Sequence, residues 1–167
     1  MRNDFNADHA AAMAGQLAVE RIQINQATLF DLDSLVPLFD AYRQFYRQPS
    51  DLAGAKHFLL ERFRQNQSVI FIAFRGTTPV GFTQLYPSFS SGAMGRIFIL
   101  NDLFVIPELR QRGVGSALIL AAAEYGRCAG ALRLVLSTET TNTAAQALYE
   151  KLGWKRDTAF CVYTIAL

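Results

Sequence analysis

Between Arg110 and Gly115 the chain reads Arg-Gln-Arg-Gly-Val-Gly, after an apolar run that ends at Val105 and before an Ala-rich stretch. Glycines at a strand-to-helix turn take positive φ without penalty and let a ligand approach the main chain closely. The free N–H groups of the first helical turn then converge on one spot, with the positive end of the helix dipole behind them. That is an anion site, most naturally for a phosphate, and Arg110 and Arg112 add charge for its oxygens. A tight turn with solvated arginines would carry the same residues, so the turn alone does not fix the ligand. A dinucleotide fingerprint needs a third small residue three positions after Gly115, where Leu118 stands, and a P-loop needs Gly-Lys-Ser/Thr, which this sequence lacks.

Other polar residues stand where their placement is costly. Asn101 and Asp102 interrupt an otherwise apolar run, and a carboxylate there needs a partner or solvent. Strict alternation puts Asp102 on one face with Leu100 and Phe104, and Asn101 on the other with Leu103 and Val105. Asp102 is therefore a candidate general base, a positioner of an activated water, or a structural partner of a nearby backbone group or basic side chain. Glu139, just past the next apolar run, is a second candidate base. Tyr149 is either a phenol available for proton chemistry or an aromatic of a helix's packed face. His57 falls in a surface helix and His9 near the chain start, so neither is assigned chemistry.

The elements that must position these residues can be read from periodicity. Arg21 to Ala27 alternates as a half-buried strand. Thr28 and Asp31 signal a helix start, and Leu32, Leu35, Val36, Phe39, Tyr42, Phe45 and Tyr46 follow at helical spacing until Pro49. Ser50 and Asp51 start a second helix that runs to about Gln65. Val69 to Phe74 and Val80 to Tyr86 predict a hairpin, Ser88 to Gly95 a loop, and Arg96 to Val105 a further strand. A helix from Gly113 to Ala129 follows, then a strand Leu132 to Leu136. Next comes a helix Thr143 to Leu152 with a Thr143/Gln146 capping box and Gly153 as its stop. Trp154 to Thr158 and Phe160 to Leu167 read as two closing strands. Alternation of strands and helices around the Gly-rich turn implies a parallel central pair, hence an α/β fold.

Length and composition leave room for one domain and exclude several classes. The chain has 167 residues, 51% apolar and 18% charged, enough for a self-sufficient core and unlike a disordered or fibrous protein. Sixteen basic and 14 acidic residues give a formal charge of +2, which disfavours a nucleic-acid-binding role argued from charge. No apolar run is long enough to span a bilayer. Residues 1–20 read as an N-terminal extension to a domain over 21–167. Asp4 and Asp8 stand where a secretory signal would carry Lys or Arg. Cys128 and Cys161 fit no metal spacing, so no metal is expected; they are expected as reduced thiols packed as small hydrophobes in a cytoplasmic protein.

The motif Arg110-x-x-Gly113-x-Gly115, preceded by Asn101-Asp102-Leu103-Phe104-Val105-x-Pro107, resembles the acetyl-CoA motif of the GNAT superfamily of N-acetyltransferases. The segment Asn142-x-x-Ala145-x-x-Leu148-Tyr149-x-x-Leu152-Gly153-Trp154 resembles that family's second landmark at the matching separation. The likeness covers Arg21 to Leu167, strong from Ile97 to Trp154 and topological before it. It implies a single-domain GNAT-like fold, with a mixed central sheet of about seven strands and helices on both faces. It also implies that the backbone of Leu103, Phe104 and Val105 holds the acetyl and pantetheine portions of acetyl-CoA. Main-chain N–H groups of Gln111, Arg112, Gly113, Val114, Gly115 and Ser116, beside Arg110, would hold the pyrophosphate. Asn142 matches a position that contacts the pantetheine or adenylate portion, and Tyr149 the tyrosine that attends the leaving thiolate.

Chemistry constrains such a reaction independently. A primary amine of pKa ~10.4 costs about 4.6 kcal/mol to deprotonate at pH 7, at ~1.36 per pK unit, so a side chain or water must take the proton. A thiolate of pKa near ~8.5 leaves, and a phenol at ~10 is the weaker acid, so full transfer from Tyr149 is uphill by about 2 kcal/mol. Hydrogen-bond stabilisation of sulfur with late proton transfer is therefore favoured, with a main-chain N–H at Leu103 facing the carbonyl oxygen. The base stays open among Asp102, Glu139 and water.

The acceptor is expected to be a small-molecule or peptide amine, framed by the early helices, where Tyr42, Phe45, Tyr46, Tyr86 and Phe89 cluster. A non-catalytic acyl-CoA-binding regulatory module is the competing class, and Tyr149 argues against it because a sensor needs no partner for a thiolate. Phe160 to Leu167 is an apolar chain end whose edge a monomer would expose, so pairing of two copies into a homodimer is a further expectation.

Overall fold

The structure is a computed structural model that describes residues 21–167; the extension at 1–20 lies outside the described residues. Five strands form one sheet in the order β1 to β5: β1 (Ile22–Gln26), β2 (Val69–Arg75), β3 (Thr78–Ser90), β4 (Gly95–Val105) and β5 (Arg133–Val135). The first four pair antiparallel, and β5 runs parallel to β4. Helices α1 (Leu32–Phe45) and α2 (Leu52–Arg64) join β1 to β2. Helix α3 (Val114–Cys128) makes the crossover from β4 to β5, and α4 (Thr143–Lys151) follows β5.

Each face of the sheet buries its own apolar cluster. Leu35, Phe39, Leu59, Ile70, Ile72, Phe82 and Phe104 pack beneath α1 and α2. On the other face Phe71, Ala73, Phe98 and Leu100 pack against Val114, Leu118, Ile119 and Ala122 of α3. The expected helices on both faces are present, and the parallel pair is β4 with β5. Near the α1–α2 turn the buried Asp40 carboxylate accepts from Ser50 Oγ at 2.7 Å, the Asp51 N–H at 2.8 Å and Gln44 Nε2 at 2.9 Å. These bonds fix where α2 leaves α1.

Two bulges break the alternation assumed from sequence. Ala73 pairs with Gly81 and Phe74 with Pro79, leaving Val80 as an extra residue on β3. Gln84 pairs with Asp102 and Leu85 with Leu100, leaving Asn101 extra on β4. One inserted residue moves every later side chain to the opposite face. Leu100 therefore packs towards α3 while Phe104 packs towards α1, so the expectation that Leu100 and Phe104 share a face with Asp102 is wrong. Asp102 keeps Phe104 only.

Three further expectations need correction. The sheet has five strands, not about seven: residues 154–167 form no ladder, although their pattern suits a strand. Alternation shows that a segment could pair, but pairing needs a neighbour, and β5 offers a three-residue edge. The loop expected from Ser88 to Gly95 shrinks because β3 and β4 extend to Ser90 and from Gly95, pairing to their ends. Cys128 and Cys161 are exposed rather than packed, since Cys128 sits in the last turn of α3 and Cys161 in the strandless C-terminal segment.

Candidate active site

The pairing of β4 with β5 stops at Ile99 and Val135, so beyond that point the two chains part and a cleft opens between β4 and α4. Its cavity is about 520 Å³. Leu103, Phe104 and Val105 line one wall, and Arg110, Gln111, Gly113, Gly115 and Ser116 line the end. Asn142, Leu148 and Tyr149 of the α4 region form the opposite wall, while Tyr42, Phe45 and Tyr46 of α1 close the mouth. Among the expected site residues Asp102, Arg112 and Val114 are not on the wall: Asp102 is buried behind β4, Arg112 is exposed, and the Val114 side chain is in the core.

The Gly-rich turn has the backbone geometry that the sequence suggested. Gly113 is the N-cap of α3 with φ +86°, a conformation costly for any residue with a Cβ, and Gln111 precedes it at φ +59°. Gly113 carries no side chain to cap the helix, whereas Asp51 caps α2 and Asn142 caps α4. Its carbonyl accepts the first intrahelical bond, from the Ala117 N–H at 3.0 Å. The N–H groups of Val114, Gly115 and Ser116 therefore have no intrahelical acceptor. A Cβ on Gly115 would lie 3.3 Å from Leu148 Cδ2, which shows how closely α3 and α4 approach. Three free amides at the end of a narrow cleft fit a diphosphate.

Arg110 takes a position the sequence did not suggest. Its Nε donates to the Val105 carbonyl at 3.0 Å, and its guanidinium lies 5.4 Å from the Phe45 ring centre and 5.8 Å from that of Phe104. It ties the turn back to β4 and covers aromatic surface, and these bonds engage it away from the amides of α3. Asn142 is also partly engaged: its side-chain oxygen accepts from the Ala145 N–H at 3.2 Å. The capping residue of α4 is thus Asn142, one position before the expected Thr143, and Gln146 instead donates to the carbonyls of Glu139 and Thr140.

Tyr42, Tyr46 and Tyr86 surround the Asp102 carboxylate, and Tyr149 faces them from the opposite wall. Burial raises the pKa of Asp102, opposed by side-chain hydrogen bonds from Tyr42 and Asn101. The Asn101 amide donates to Asp102 Oδ1 at 3.1 Å. Burial, then the Asp102 charge, push the Tyr42 phenol far above its ordinary value. Tyr86 is pushed up to about 12 by the same two causes in the same order. Tyr46 is raised by burial and then by Glu139 and Asp102, and Tyr149 by burial and then by Tyr46. Tyr42 and Tyr46 stand at the mouth where the sequence placed the acceptor, but the proximity of Tyr42 to Asp102 and the place of Gln84 opposite it were missed, because their helical or strand spacing is indistinguishable from ordinary core packing. Gln84 is fully buried directly opposite Asp102, with its Oε1 unpartnered. Glu139 is exposed and absent from the wall.

Residues 35–154 match the model of the acetyltransferase (GNAT) family. The chain belongs to that family. It is 49% identical over 144 residues, 86% of this chain and 97% of the relative, to an uncharacterized N-acetyltransferase, YhfO, of Bacillus subtilis (strain 168). A solved structure of a probable acetyltransferase is 41% identical, with a TM-score of 0.83 over 87% of this chain and 97% of that one. The aminoglycoside acetyltransferase AAC(6')-Iy, solved with a bisubstrate analogue, shares the fold at 22% identity and a TM-score of 0.74, over 88% and 99% of the two chains. This GNAT protein is an acetyl-CoA-dependent acyltransferase that transfers acetyl to an amine. Among the described residues no helix is long and apolar enough to cross a membrane.

Proposed function

We propose that this GNAT protein acetylates a small primary amine by direct attack on the thioester within a ternary complex. The observation that carries the reading is that three otherwise separate features open into one cleft: the uncapped first turn of α3, the unpaired edge of β4, and the Tyr149 phenol. The amides of Val114, Gly115 and Ser116 hold the pyrophosphate, and the main chain of Leu103 to Val105 lays the thioester along β4, with the Leu103 N–H towards its oxygen. Tyr149 faces the sulfur. Because burial raises its pKa further, complete proton transfer is less favourable than from a free phenol, which supports hydrogen-bond stabilisation of the departing thiolate.

Asp102 is the carboxylate of this reading. No acidic side chain lies on the cavity wall, and Asp102 is the one reached from it through Tyr42 and Asn101. The aromatic mouth of Tyr42, Phe45 and Tyr46 suits a cationic or ring-bearing amine. The free, exposed cysteines accord with a reducing compartment, and we place the reaction in the cytoplasm.

The test is thiol release from acetyl-CoA with a panel of polyamines, an aminoglycoside, lysine and a peptide N-terminus. We expect release with at least one small amine and amide formation by mass spectrometry. Tight coenzyme A binding with no release on any amine would favour a non-catalytic acyl-CoA-binding module instead.

A further inference from the structure

The cleft holds no carboxylate, yet a buried carboxylate lies one side chain away. Asp102 is 4% exposed on the α1 face of β4 and does not reach the wall. Two wall residues adjoin it: Asn101, whose amide donates to it at 3.1 Å, and Tyr42, which packs from α1 on Phe104, the next residue of β4 on the face that carries Asp102. The Asn101 amide carries no proton that it can pass on and replace, whereas a phenol can release one proton while accepting another. Tyr42 is also held firmly. Its ring stands edge-on to Phe82 at 5.8 Å and to Phe104 at 6.4 Å, and Tyr46 meets it edge-on at 5.1 Å.

We propose that Tyr42 relays the proton of the acceptor ammonium to Asp102. The inference rests on the acetyl-transfer reading above and adds the route of its proton. One N–H bond of the ammonium breaks as the proton forms a bond to Tyr42 Oη, while the Tyr42 O–H proton passes to an Asp102 carboxylate oxygen. The products are a neutral amine, a neutral phenol and a neutral carboxylic acid. The amine lone pair then forms the C–N bond as the C–S bond breaks. A second N–H proton ends on sulfur, the third stays in the amide, and the proton on Asp102 leaves to solvent before the next cycle.

The surroundings suit this use. The groups facing the pair are Tyr46 from α1, Tyr86 from β3 and, beyond them, Glu139 from the loop before α4 and Arg62 from α2. Burial disfavours a phenolate at Tyr42 and favours protonation at Asp102, so the proton passes through the phenol without resting there.

Tyr42→Phe keeps the ring and its packing, so coenzyme A affinity by calorimetry should match wild type, and Tm at pH 7 should fall only by what the lost donor to the Asp102 carboxylate contributes. With the best amine of the panel, kcat/KM at pH 7 should fall about 100-fold, a usual size for a lost acid–base group. Asp102→Asn should fall equally, and the double variant no further, because both changes cut one route. The acidic limb of the wild-type pH profile should be absent from both variants. Independently of turnover, the Asp102 carboxyl followed by carbon NMR should titrate higher in Tyr42→Phe, which loses a donor to the charged form. Additive losses, an unchanged rate in Tyr42→Phe, or an unchanged Asp102 titration would overturn the relay while leaving acetyl transfer standing. A wild type that acetylates no amine overturns both.

Discussion

Asn101 donates its side-chain amide to Asp102 at 3.1 Å, although the two are consecutive residues of one strand and regular alternation would aim them apart. The bulge that leaves Asn101 without a partner on β3 brings them together, and it also turns Asp102 towards α1. A side chain placed by a bulge on the cleft-side edge of a sheet is set for function more than for stability.

Stability and activity should therefore diverge at Asp102. Its folded pKa is raised, so the fold favours the protonated form and the charged form costs stability at neutral pH. Asp102→Asn should leave Tm unchanged or raise it at pH 7.5, and the difference from wild type should narrow as pH falls towards the folded pKa. A large loss of Tm at neutral pH, read by scanning calorimetry, would mean that the carboxylate is a structural tie.

Tyr149→Phe removes one hydroxyl from a ring that packs 6.0 Å from Trp154 and keeps that packing. The expected result is a fall in kcat of about 100-fold, as for loss of a preorganised donor, with acetyl-CoA affinity within about twofold of wild type. Stopped-flow thiol detection and calorimetry measure the two. Undiminished turnover would remove the phenol from the reaction.

Gly113→Ala forces a Cβ into φ +86° but meets no atom within 4 Å. Its cost is backbone strain of about 1 kcal/mol rather than a clash. Relaxing that strain rotates the first amides of α3, so coenzyme A affinity should drop about tenfold or more while the amine KM changes little. Isothermal titration with coenzyme A alone decides the matter.

Asp40 gives a stability prediction with a defined sign. Its pKa is lowered chiefly by the Asp51 N–H, with Ser50, Gln44 and Arg43 assisting against burial. Its contribution is thus complete above 3.8 and disappears as pH falls through the lower folded value. Asp40→Ala should cost about 1–2 kcal/mol in urea unfolding at pH 7, since it removes three hydrogen bonds at the α1–α2 turn whose donors, on exposed residues, water can then satisfy. The same comparison at pH 3 should show a smaller gap.

Phe160, Val162, Tyr163 and Ile165 are each at least 82% exposed in the single chain. A run of solvated apolar side chains of this kind marks a surface for association. Light scattering should find a homodimer for the full chain and a monomer after removal of residues 159–167. A full chain that stays monomeric at high concentration would rule this out.

The local sequence determined the Gly-rich turn and the helix behind it, because positive φ, helix period and a free helix terminus are written in adjacent residues, whereas Tyr149 was singled out only by its match to a family motif. It also carried enough of two spaced motifs for the GNAT family to be legible. Placement of the remaining groups depended on partners distant in the chain. Register with β3 decided that Asn101 is extra and that Asp102 and Leu100 face opposite sides, which alternation alone had misassigned. The packing of α1 over β4 decided that Tyr42 lies beside Asp102, while β5 offers residues 154–167 an edge of only three residues, and the two expected strands are unformed. Strand pairing and burial are long-range properties: a residue's own neighbours fix its backbone tendencies, and only the assembled sheet fixes which face, and which partner, its side chain meets.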